Sequence, residues 1–151
     1  MLETIAGLSR QLAEAPGRRK AIVAIGAGWL FDTPIPAPFV AGDLRAEWVS
    51  AMRATASGHV SLYVIDPAGV GTRPVTGGSS GLARETGGYA FMNTNDVAGV
   101  GDRILRELGT YYVLSVEDPP IGRKDDLREL DVRILRRGVT VRARKGIPPG
   151  I

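Results

Sequence analysis

Residues 82–95, LARETGGYAFMNTN, constrain the fold more than any other stretch, because a helix stop, a strand and a helix start are compressed into them. Leu82 to Thr86 suits a short helix, and Gly87-Gly88 ends it by supplying the left-handed conformation that other residues resist. Tyr89-Ala90-Phe91-Met92 reads as a short buried strand. Thr94, Asn95 and Asp96 offer N-cap oxygens to a following helix whose apolar stripe is Val97, Val100, Ile104 and Leu108. A chain that passes from helix to strand to helix in so few residues is built from β-α-β units.

The flanking sequence repeats that alternation. Leu2, Ile5, Leu8 and Leu12 form one helical stripe, stopped by Pro16-Gly17. KAIVAI at 20–25 is apolar throughout, the pattern of a parallel strand buried on both faces. A Pro-rich loop follows, and Asp43 starts a helix with Leu44, Trp48, Ala51 and Met52 on one face, ended by Gly58. HVSLYVID at 59–66 predicts a second buried strand, the segment near Ser79–Thr86 a short helix, and Tyr111–Val116 a fourth strand. Right-handed crossovers then give a mostly parallel sheet flanked by helices in three layers. Beyond Pro119-Pro120, Leu130, Val132 and Ile134 alternate with polar residues, Arg137-Gly138 turns the chain, and Val139, Val141 and Ala143 alternate again. That pattern predicts an antiparallel β-hairpin with one basic face. The expected division is an α/β domain over 1–118 and a basic appendage over 119–151.

At 151 residues the chain has one domain's length and room for a sizeable core. It has no cysteine, which excludes disulfides, thiol nucleophiles and cysteine metal sites. No apolar run is long enough to cross a bilayer, and the N-terminus lacks the long apolar centre of a signal peptide. Charge is uneven: residues 1–120 carry 10 Lys/Arg against 12 Asp/Glu, and residues 121–151 carry 9 against 4. The basic character belongs to the C-terminal segment.

Several short patterns could carry chemistry. Gly26-Ala27-Gly28 after a strand mimics the opening of a dinucleotide fingerprint. The third glycine is missing, and Pro34, Pro36 and Pro38 replace the helix that should follow, so a strand-exit turn is favoured. TGGSSG at 76–81 could cradle an anion but lacks a phosphate loop's lysine. Asp66 ends a strand on the edge where α/β folds place ligands, yet Asp66-Pro67-Ala68-Gly69 also suits a type I turn. With Asp32 it completes a candidate ligand face of Gly26, Ala27, Gly28, Asp32 and Asp66. His59 is the sole histidine, and no Gly-x-Ser-x-Gly elbow accompanies it, so no catalytic residue is assigned. Arg133, Arg142 and Arg144 share the polar face of the expected hairpin and could meet phosphates. Asp131 sits among them and no aromatic is interleaved, which favours a solvated face or a protein interface over nucleic acid.

GRRKAIVAI, VSLYVIDPAG, LARETGGYAFMNTND, TYYVLS and VRILRRGVTVRARKG occur in an order and spacing that resembles a bacterial family of von Willebrand factor type A-related proteins, over most of Gly17–Gly146. The resemblance implies a parallel sheet flanked by helices with a small antiparallel appendage, a non-enzymatic role in binding a protein ligand, and an exported or periplasmic setting. Such domains bind through a metal-ion-dependent adhesion site, made from an Asp-x-Ser-x-Ser loop and a later acidic residue. That loop has no counterpart here and the later position falls at Ala27, so neither a metal nor another cofactor is expected. The match corresponds to the C-terminal part of such a domain. In the family the strand matching Lys20–Ile25 lies beside the first strand, which has no counterpart in this sequence. An exposed edge at 20–25, open to self-association, is the expected result. The alternatives are a nucleotide-dependent enzyme using residues 26–28, and nucleic-acid binding by the basic hairpin.

Overall fold

The structure, a computed structural model, describes residues 1–17, 19–26, 42–67, 70, 78–114 and 128–147. The fold is α/β. In chain order come α1 (Leu2–Ala13), β1 (Lys20–Ile25), α2 (Gly42–Ser57), β2 (Val60–Ile65), α3 (Gly78–Glu85), β3 (Ala90–Phe91), α4 (Val97–Gly109), β4 (Arg128–Glu129) and β5 (Gly146–Ile147). The first three strands form a parallel sheet of order β1-β2-β3, and β4 pairs antiparallel with β5.

β2 is central and every one of its residues is buried. Its alternation divides the core. Leu62 and Val64 point to one face, where Leu2, Ile5 and Ala6 of α1, Ala51 and Met52 of α2, and Leu82 and Ala83 of α3 pack. Tyr63 and Ile65 point to the other, against Phe91 and the α4 residues Val100 and Ile104.

The glycines near 58 and 88 act by close approach. A Cβ on Gly58 would stand 2.7 Å from the Ser9 carbonyl oxygen of α1, so only glycine lets α1 and α2 meet there. The left-handed residue after α2 is His59, at φ 54°, not Gly58. At the end of α3, Gly87 takes φ 78°, as the sequence predicts, and Gly88 has no room for a side chain: a Cβ would meet the Leu62 carbonyl oxygen at 1.9 Å.

The sequence reading needs revision in four places. KAIVAI lies at the edge of the described sheet, as expected, but it is not buried on both faces: it is only partly buried, with Val23 and Ile25 exposed. Tyr111–Leu114 forms no strand, and Tyr112 is 93% exposed; the remainder of that expected strand, 115–116, lies outside the described residues. Residues 130–145 carry no strand, so the expected basic hairpin is reduced to the two residue pairs at Arg128–Glu129 and Gly146–Ile147. The buried face of α1 is Leu2, Ile5, Ala6 and Ser9, while Leu8 is exposed. No described helix is long and apolar enough to cross a membrane.

Candidate functional site

The sheet order leaves one long strand edge. β1 pairs along its whole length with β2, from Lys20↔Val60 to Ile25↔Ile65, and no described strand pairs with its other side. The Lys20 amide donates to the His59 carbonyl and the Gly26 amide to the Ile65 carbonyl. Hydrogen-bonding direction alternates along a strand, so residues 20, 22, 24 and 26 face β2, whereas the backbone groups of Ala21, Val23 and Ile25 face outward. On the sheet face covered by α4, that helix packs over Tyr63, Ile65 and Phe91 and leaves Val23 44% and Ile25 63% exposed.

A second constellation lies under the end of α4. Glu107 accepts from Arg103 (3.3 Å, one helical turn earlier), from Arg142 of the C-terminal segment and from the Tyr63 hydroxyl (3.3 Å). Arg19, immediately before β1, donates to the same hydroxyl at 3.4 Å. The guanidiniums of Arg142 and Arg103 stand over the Tyr89 ring at 4.3 and 5.3 Å, and Tyr89 meets Phe91 edge-on at 4.9 Å. Burial pushes the Tyr63 phenol above its ordinary pKa, as do the charge and hydrogen bond of Glu107, while Arg19 opposes them. A phenol and a carboxylate held by two arginines tie the end of α4 to β2 and to the C-terminal segment.

Of the expected ligand face, Gly26 and Asp66 stand side by side at the carboxyl ends of β1 and β2, both half-buried. The Asp66 amide donates to the Phe91 carbonyl, which continues the β2–β3 ladder. Ala27, Gly28 and Asp32 lie outside the described residues. The three arginines of the expected basic face do not act together. Arg133 is exposed and pairs with Asp131 at 2.6 Å. Arg142 is engaged with Glu107 and Tyr89. Arg144 is half-buried and donates to the Thr55 hydroxyl (3.2 Å), the Thr55 carbonyl (3.0 Å) and the Val60 carbonyl (2.7 Å). Desolvation lowers its pKa to about 10, and it stays charged at neutral pH. It thus supplies the cation that α2 lacks in its own last turn.

The Glu107 cluster escaped the sequence reading because its members come from five separate segments. Only the Arg103–Glu107 spacing was readable in advance. Among the described residues no three histidine or acidic side chains converge into a metal-binding set. No family model matches the chain, and no curated protein or solved structure matches it significantly.

Proposed function

We propose that the chain is a non-enzymatic protein-interaction module, similar in kind to a three-layer von Willebrand factor A-like domain that works without its metal site. One observation carries the reading: the outer edge of β1 presents outward amides and carbonyls beside exposed Val23 and Ile25, with no described strand against it. An unpaired apolar edge is a ready template for a strand supplied by another protein. The second support is chemical. Glu107 and Tyr63, which share one polar cluster, are committed to one another and to arginines. Arg142 and Arg144 are engaged with protein groups, which takes two of the three arginines of the expected basic face away from the nucleic-acid alternative.

Thermal melting tests this reading against the enzymatic one. Millimolar magnesium or manganese, and separately a dinucleotide, are expected to leave Tm unchanged, because a ligand specific for the folded state raises stability by mass action. A saturable rise with a divalent ion would restore a metal-dependent adhesion site. A saturable rise with a dinucleotide would replace the module with a nucleotide-dependent enzyme.

A further inference from the structure

We propose that the partner of the β1 edge is a second copy of this chain, paired antiparallel through β1 with Val23 on the two-fold axis. The inference rests on the interaction-module reading and names its partner. Natural sheets guard an edge with charged side chains, proline or a bulge. β1 has none of these: residues 21–25, AIVAI, are uncharged, and the register with β2 runs from Lys20 to Ile25 without an inserted residue. The strand's one cation is turned away from the edge, since Lys20 Nζ donates inward to the Gly58 carbonyl at 3.4 Å.

The parity of the outward groups fixes the register. Because Ala21, Val23 and Ile25 face outward, two copies related by a two-fold perpendicular to the sheet pair Val23 with Val23 and Ile25 with Ala21. Each pair exchanges both of its N–H···O bonds. The side chains of these residues lie on the α4 face, so exposed Val23 meets its own copy and exposed Ile25 meets the small Ala21. No charge faces a like charge, because Lys20 falls opposite Gly26, beyond the apolar pairs. The contact is thus isologous and self-complementary, as a closed dimer requires, and it joins the two sheets in the order β3-β2-β1-β1-β2-β3. One six-residue ladder is small beside the roughly 1,200–2,000 Å² of a standard interface, so the dimer is weak and concentration-dependent.

Sedimentation velocity over a concentration series, with single charge substitutions at the axis, tests the proposal. The wild-type protein is expected to pass from monomer to dimer as concentration rises. Val23→Lys and Val23→Glu, each placing like charges opposite themselves, should each weaken dimerisation by about tenfold or more. Mixing the two variants should restore it, which a misfolded variant could not do. Dimerisation indifferent to both substitutions would overturn the proposal by placing the contact elsewhere. A monomer at every concentration with fast-exchanging Ala21, Val23 and Ile25 amides would overturn self-pairing and leave the open-edge reading standing. A monomer with those amides protected would overturn both.

Discussion

Thr86 joins two elements with one hydroxyl. Its Oγ1 accepts from the Leu62 amide at 2.9 Å and donates to the Ala83 carbonyl at 2.9 Å, in a fully buried position. The need arises because β3 pairs with β2 only at Val64↔Ala90 and Ile65↔Phe91, so the Leu62 amide lies below the ladder and needs another acceptor. Thr86→Val keeps the shape and orphans a buried N–H, which costs about 1–3 kcal/mol; urea denaturation should show that loss, with Thr86→Ser recovering most of it. A loss under about 0.5 kcal/mol would show that Leu62 has another acceptor. Tyr63 gives a pH signature. Its folded pKa is raised above the ordinary 10.0, so its contribution is complete below that value and is lost as pH rises through the higher folded one. Between pH 9 and 11 the wild-type urea midpoint should therefore fall more steeply than that of Tyr63→Phe. Parallel slopes would mean that the phenol ionises as readily folded as unfolded.

At the scale of elements, Arg144 ties the C-terminal segment to the body. Its guanidinium reaches α2 and the start of β2, and the neighbouring Lys145 amide donates to the Glu85 carbonyl at 3.3 Å. Gly87 permits the close approach, since a Cβ there would stand 3.0 Å from the Arg144 amide. Arg144→Gln should cost about 1.5–3 kcal/mol, the worth of hydrogen bonds from a charged donor, and should speed exchange of the Lys145 amide. An unchanged Lys145 amide would show that the segment docks without the arginine. This role was not legible in the sequence, where Arg144 reads as one more cation in a basic run. The helices and the two long strands were legible: Gly87 closes α3, Asp96 caps α4 by accepting from the Gly99 amide at 2.8 Å, and Val100 and Ile104 of the expected stripe are buried. Local signals of that kind lie within one turn of the residue they control. A strand depends on its neighbour instead. TYYVLS has strand composition, yet Tyr111–Leu114 finds no partner strand and stays exposed, with Tyr111 beside Arg19. KAIVAI has the composition of a strand buried on both faces, yet at the expected edge it has one neighbouring strand among the described residues and leaves Val23 and Ile25 exposed.

On the scale of the whole molecule, the same sheet that buries β2 completely leaves β1 half-covered. One face is filled by α1, α2 and α3, and the other by α4, which spans β2 and β3 and stops short of Val23 and Ile25. The proposed interaction surface thus follows from the topology of the described residues, in which the helices cover β2 and leave the outer edge of β1 open. Burial and hydrogen bonding alternate together along β1, since Ile22 and Ala24 pack against the core and Val23 and Ile25 are exposed. Ile22 and Ala24 face β2 with their amides, while Ala21, Val23 and Ile25 face outward, so protection should alternate residue by residue. Residue-resolved amide exchange in dilute protein, where a weak dimer has dissociated, is the most direct test. An open edge gives slow exchange at Ile22 and Ala24 and fast exchange at Ala21, Val23 and Ile25. Slow exchange at all five residues in the monomer would contradict it, because the edge would then already be covered by the chain itself.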